Sequence, residues 1–117
     1  MMDKKSVQEP EIYDDYWCKL ISKNETLSNT FITKDLFTIG RAPTNDLQIL
    51  NGKISGIHCT IFKTHIGSNT EFFIEDNSSN GTYLNEKKLE RGIKAVLRNG
   101  DEVVLLKHEN GYSFFNS

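Results

Sequence analysis

The chain has 117 residues, 37% of them hydrophobic and 26% charged, and at roughly 150 residues per domain that leaves room for one core. No apolar run approaches the roughly 20 residues of a bilayer-spanning helix, which argues against a membrane protein. Fourteen Lys and Arg against sixteen Asp and Glu give a net charge of -2, so a nucleic-acid backbone is not the expected main partner.

Residues 1–16 carry two lysines against Asp3, Glu9, Glu11, Asp14 and Asp15, a balance of −3 that leaves +1 for the remainder. With few aliphatics and no apolar segment of signal-peptide type, this stretch reads as a flexible acidic tail, its Tyr13 and Tyr16 able to pack on the domain edge. From Trp17 onward, short β-favouring runs alternate with turn residues about every ten residues, the pattern of an antiparallel sandwich or barrel. The runs are Trp17 to Ile21, Thr30 to Thr33, Leu36 to Ile39, Leu47 to Leu50, Ile57 to Phe62, Phe72 to Glu75, Thr82 to Leu84, Val103 to Leu106 and Tyr112 to Phe115. In the fifth, the apolar odd positions Ile57, Cys59 and Ile61 are expected to face the core and the even positions to face outward.

Leu89, Ile93, Val96 and Leu97 fall at helical spacing. A mid-segment Gly92 costs a helix about 1 kcal/mol relative to alanine, and Arg91-Gly92 and Asn99-Gly100-Asp101 are turn signals, so strand and turn are favoured. Cys18 and Cys59 sit in apolar surroundings without a second ligand at metal spacing, and reduced thiols of an intracellular protein are expected. No metal or cofactor site is expected.

Three loops mix turn formers with hydrogen-bonding groups. Gly40-Arg41 ends a strand and projects a guanidinium, whose planar fork of donors matches a phosphate or carboxylate. Ser55 and Gly56 enter the next strand, where a hydroxyl and a glycine N–H can donate to an anion. Asp76 to Thr82 contains Asn80-Gly81, the strongest hairpin-turn signal in the chain. There the Asn80 amide can bond both N–H and C=O of an extended peptide, and Thr82 and Asn85 are expected to pin the loop from within. Each residue also has an ordinary reading as a solvated arginine, a turn serine or a turn asparagine.

Ser55, His58 and Asp76 invite a hydrolase reading. Residues three apart in an extended run point to opposite faces, and there is no G-x-S-x-G elbow, so His58 is better read as a structural histidine bracing the Ser55 turn.

Taken in order with strands between them, Gly40-Arg41, Ser55 with His58 three residues on, and Asn80-Gly81-Thr82 with Asn85 resemble the forkhead-associated (FHA) domain. The resemblance covers approximately residues 17 to 115. Trp17 to Leu20, the loop from Glu75 to Thr82 and Gly100-Asp101-Glu102-Val103 are similar to the amino-terminal FHA domain of checkpoint effector kinases. The resemblance implies that residues 17–117 form an all-β, eleven-stranded antiparallel β-sandwich that reads phosphothreonine in a partner protein or peptide, without catalysis and without nucleic acid or membrane as partner. It implies Arg41, Ser55 and Gly56 at the phosphate, Asn80 on the peptide backbone, and Gly40, His58, Gly81, Thr82 and Asn85 as loop-structuring residues. The family often has a polar residue after the serine; here Gly56 offers only backbone. Lys53, on the Ser55 loop, is assigned to specificity for an acidic residue after the phosphothreonine.

The resemblance further implies a kinase domain downstream and a nuclear location. A second copy of the same protein is one partner the sequence leaves open. The competing reading is a β-sandwich that binds unmodified partners through a sheet edge or face.

Overall fold

The computed structural model describes residues 18–22, 30–106 and 111–116. The acidic stretch 1–16 and Trp17 lie outside the described residues. Burial with a period of two marks the strands, because successive side chains leave a pleated backbone on opposite faces. In β3 (Leu36–Gly40), Phe37 and Ile39 are buried on either side of a half-buried Thr38; in β6 (Asn69–Asp76), Phe72, Ile74 and Asp76 are buried while Phe73 and Glu75 are half-buried. Between them runs β5 (Cys59–Ile66), with Cys59 opposite both Ile39 and Asp76, and Ile61 opposite both Phe37 and Ile74. β4 (Leu47–Gln48) and β9 (Ala95–Val96) close the edges of this five-stranded sheet, ordered β4-β3-β5-β6-β9.

The second sheet is built from β1 (Cys18–Ser22), β2 (Thr30–Ile32), β7 (Tyr83–Leu84), β8 (Lys87–Lys88), β10 (Glu102–Val104) and β11 (Gly111–Asn116), in the order β2-β1-β11-β10-β7-β8. The described residues are thus all-β, eleven strands in two sheets. Leu20, Ile32, Val103, Tyr112 and Phe114 face Phe37, Ile39, Ile61, Phe72 and Ile74 in one core. Phe72 and Phe114 meet edge to face across the sheets, ring centroids 5.5 Å apart, an aromatic contact worth about 0.5–1.5 kcal/mol beyond area burial.

Several expectations are corrected. The sandwich is not wholly antiparallel, since β3 pairs with β4 in parallel, Ile39 opposite Leu47. The cause lies in the intervening loop. Asp46 accepts from the Thr38 N–H at 2.8 Å and donates its own N–H to the Thr38 hydroxyl at 3.1 Å, which carries the chain back beside β3 before it re-enters the sheet in the same direction. Burial pushes the Asp46 carboxyl upward, but the bonds from the Lys34 ammonium and Thr38 outweigh it and hold the group below its ordinary value.

Ile57 is 51% exposed, whereas His58 and Thr60 are buried. The strand begins only at Cys59, so alternation does not reach back to Ile57. Thr60 hides its hydroxyl by donating to Asn77 Oδ1 at 3.1 Å. The run Leu47 to Leu50 shortens to two strand residues, and Leu50 is exposed. β5 and β6 are longer than predicted and meet at Gly67-Ser68, where Gly67 supplies a φ of 64°. Between Asn85 and Asn99 there is no helix; the segment holds β8 and β9, and Ile93 is exposed.

Both cysteines are free and buried. Burial, then the neighbouring Asp76 charge, pushes the Cys59 thiol up to about 12 against a partly offsetting bond from Thr82; burial raises Cys18 as well. Because the thiolate is the reactive species, neither cysteine is expected to be alkylated by iodoacetamide at pH 8 in the native protein. Both are expected to react once guanidinium unfolds it. Mass spectrometry after timed quenching reads this out, and rapid native labelling of either thiol would contradict the burial.

Candidate functional site

The register places the end of β3, the start of β5 and the end of β6 side by side, with Ile39 opposite Cys59 and Cys59 opposite Asp76. Loops 41–46, 49–58 and 77–82 therefore emerge from one end of the sandwich. Past β3, the Arg41 and Ala42 N–H groups continue a ladder onto the Ser55 and Gly56 carbonyls at 2.9 and 3.1 Å. A Cβ on Gly40 would collide with the Gly56 carbonyl oxygen, so glycine is required there by close approach of two backbones. Asn45, which the sequence reading did not single out, clamps the same carbonyl, its Nδ2 donating to Gly56 O at 2.5 Å and to Ala42 O at 2.8 Å. Its only sequence signal was the general frequency of asparagine in the loops.

Arg41 is exposed and donates Nε–H to the Ile54 carbonyl at 3.0 Å. That bond orients the guanidinium beside the 54–56 backbone and leaves both Nη groups without a partner among the described residues. Ser55 is half-buried. Its Oγ accepts from the Ser79 N–H at 3.0 Å, so the hydroxyl proton remains free to donate. The Gly56 N–H likewise meets no acceptor among the described residues. A guanidinium fork, a hydroxyl and a backbone N–H thus stand together on one rim with donors to spare.

His58 is fully buried. Its Nδ1 accepts from the Ser55 N–H at 3.2 Å, which assigns the proton to Nε2, and that N–H donates to the Gly81 carbonyl at 2.9 Å. One ring therefore ties the 49–58 loop to the 77–82 loop. Asp76, also buried, gathers the second loop from inside. Its Oδ1 accepts from the Ser78 N–H, the Ser78 hydroxyl and the Thr82 hydroxyl at 3.1, 2.6 and 2.7 Å, and Ser78 Oγ accepts in turn from the Gly81 N–H at 2.7 Å. With His58 spent on backbone and Asp76 on Ser78 and Thr82, neither side chain activates the Ser55 hydroxyl.

Asn80 is exposed and donates Nδ2–H to the Lys53 carbonyl at 2.8 Å, leaving Oδ1 open at the mouth between the loops. Lys53 is exposed, its N–H held by Asn51 Oδ1 at 2.9 Å. Asn80-Gly81 is not a hairpin turn; it lies on the crossing from β6 in one sheet to β7 in the other. Asn85 is corrected too. It is exposed, with φ 50°, in the β7–β8 turn, and its side chain bonds Asp101 and the Glu102 N–H, both at 2.9 Å. It pins that turn to β10 and makes no bond to the 77–82 loop.

The model of the FHA domain family matches residues 37–106, the stretch that holds all three loops. This chain is an FHA domain. It is 32% identical over 92 residues to the probable serine/threonine-protein kinase fhkC of Dictyostelium discoideum, 77% of this chain but 16% of that protein. It is 34% identical over 90 residues to the E3 ubiquitin-protein ligase CHFR of Xenopus laevis, 76% of this chain and 14% of that protein. Among solved structures, the MEK1 FHA domain superposes with a TM-score of 0.79 at 25% identity, covering 94% of this chain and 100% of that one. The N-terminal FHA domain of Saccharomyces cerevisiae Rad53p, in complex with a phosphothreonine peptide, superposes at 0.78 with 22% identity, over 86% of this chain and 94% of that one. The FHA domain is a binding module and not a catalyst, and this chain spans only that part of its kinase relatives. Among its described residues no helix is long and apolar enough to cross a membrane.

Proposed function

We propose that this FHA domain is a phosphothreonine-peptide recognition module mediating phosphorylation-dependent protein–protein interaction in a checkpoint or DNA-damage signalling kinase of the nucleus. The observation that carries the reading is the set of unspent donors on Arg41, Ser55 and Gly56. A phosphothreonine brings roughly −1.5 to −2 charges and three acceptor oxygens, which that set suits. Asn80 Oδ1, open beside it, receives the N–H of the bound peptide. Similar FHA domains support this: those of MEK1 and Rad53p were each solved with a phosphothreonine peptide. The kinase setting rests on relatives such as the serine/threonine-protein kinase cds1 of Schizosaccharomyces pombe, 38% identical over 60 residues, 47% of this chain and 13% of that protein.

Binding to a degenerate phosphothreonine library, with phosphoserine and unmodified controls, tests the reading. Equal affinity for unmodified peptides would replace it with a phosphate-independent interaction module. Charge alone does not separate threonine from serine. One methyl buried in a recess contributes about 0.8 kcal/mol, roughly fourfold.

Lys53 engages Asn80 through its carbonyl and not through its ammonium, which leaves the charge free for an acidic side chain of the peptide. An exposed ion pair is worth about 0.2–1 kcal/mol. Lys53→Glu is therefore expected to cost up to about fivefold on peptides with an acidic flank and to favour basic ones. An unchanged library profile would remove Lys53 from specificity.

A further inference from the structure

A second lysine reaches the same loop, at Gly81. Gly81 has a φ of 104°, and a Cβ built on it would stand 2.7 Å from Lys88 Cε, 3.5 Å from Cδ and 3.6 Å from Cγ. The Lys88 stem therefore lies along the face of Gly81 where any other residue would carry a side chain. The β7–β8 turn brings it there: Lys88 pairs with Tyr83, and the Leu89 N–H donates to the Thr82 carbonyl at 2.9 Å. The ammonium, one bond beyond Cε, stands no more than about 6 Å from the Gly81 Cα. Lys88 is exposed, and no carboxylate pairs with it among the described residues. Lys87, its neighbour, is opposite Leu84 and is not among the atoms nearest that face of Gly81.

Two lysines thus meet the 77–82 loop at adjacent residues, Lys53 through its backbone and Lys88 through its stem. Asn80 grips the Lys53 backbone, and the Lys88 stem covers Gly81. Asn80, whose amide oxygen is left open, is the residue before Gly81, so the Lys88 stem lies one residue along the chain from that amide.

We propose that Lys88 is a specificity-determining residue that selects an acidic or second phosphorylated side chain in the bound peptide, at a position distinct from the one read by Lys53. The proposal rests on the phosphopeptide reading above. Its chemistry is an ammonium steered along a glycine face toward the peptide path, worth more than a freely waving surface lysine because the stem is already laid down by packing.

The test is a phosphothreonine library in which each flanking position is varied separately, run with the parent, Lys53→Glu, Lys88→Met, Lys88→Glu and Lys87→Glu. The parent is expected to favour acidic residues at a position that Lys53→Glu leaves untouched. Lys88→Met, which keeps an apolar stem, is expected to erase that preference by about two- to fivefold, and Lys88→Glu to convert it to a basic one, both variants still requiring phosphate. Lys87→Glu makes the same charge change one residue away and is expected to keep the parent profile. Parent-like profiles in both Lys88 variants would overturn the proposal, as would an equal shift in Lys87→Glu, which would mark bulk charge. If the parent binds unmodified peptides as well as phosphorylated ones, the functional reading itself falls and takes this proposal with it.

Discussion

Arg41→Ala is expected to weaken phosphothreonine-peptide binding by about 3 kcal/mol or more, roughly two orders of magnitude, with the fold intact. In the proposed reading the guanidinium, oriented beside Ser55 and Gly56 by its Nε bond to Ile54 O, supplies through its Nη groups the charge-assisted bonds a dianion needs. Structure survives the change because the loop is fixed by backbone. The Arg41 and Ala42 N–H groups stay on the Ser55 and Gly56 carbonyls, and Asn45 still clamps Gly56. The lost Nε bond to Ile54 O is only part-buried, so water can replace it. Arg41→Lys separates charge from geometry: an ammonium retains the attraction but cannot bond Ile54 O and present two further donors at once. An intermediate loss is expected. Calorimetric titration of one phosphothreonine peptide into the three proteins, with matched far-ultraviolet spectra, decides it, and parent-like affinity of Arg41→Ala would refute the assignment.

The loop groups were legible in the sequence where the cue was local. Gly40 followed by Arg41 marked a strand end, and the β-favouring runs Leu36 to Ile39 and Phe72 to Glu75 fall within β3 and β6. Non-local bonds hid the rest. Alternation assigned Ile57 to the core because it presumed an unbroken strand, yet His58 turns its ring inward to reach Gly81, 23 residues away in sequence, and Ile57 is left outside. Asn80-Gly81 promised a hairpin on local preference. The tight two-residue turn with both φ positive lies instead at Asn85-Glu86, while Asp76 bends the 77–82 segment into a crossing between sheets. The parallel β4 depends on Asp46 finding Thr38. Lys88 reaches Gly81 only because a turn folds it back, and no pattern of residue types announces that approach.

Asp76→Ala is expected to cost the most stability of any change at the binding end, about 3 kcal/mol or more, because one buried oxygen serves three donors. Its removal leaves the Ser78 N–H and the Ser78 and Thr82 hydroxyls without their acceptor in a region water reaches poorly. For a domain of this size the melting temperature is expected to fall on the order of 15 °C. Affinity is expected to follow stability here: the Gly81 carbonyl that receives His58 and the Asn80 amide proposed to hold the peptide ride on the same segment. Asp76→Asn keeps an oxygen for the three donors and removes the charge, so a smaller loss is expected, and it supplies a second readout. Burial is the larger cause of the raised Cys59 thiol and the Asp76 charge the next. In Asp76→Asn, Cys59 is therefore expected to titrate below about 12, closer to the ordinary 9.0, visible as thiolate absorbance at lower pH in a Cys18→Ala background. Denaturant midpoints of Asp76→Ala equal to those of the parent would show that the loop is held by something other than this carboxyl.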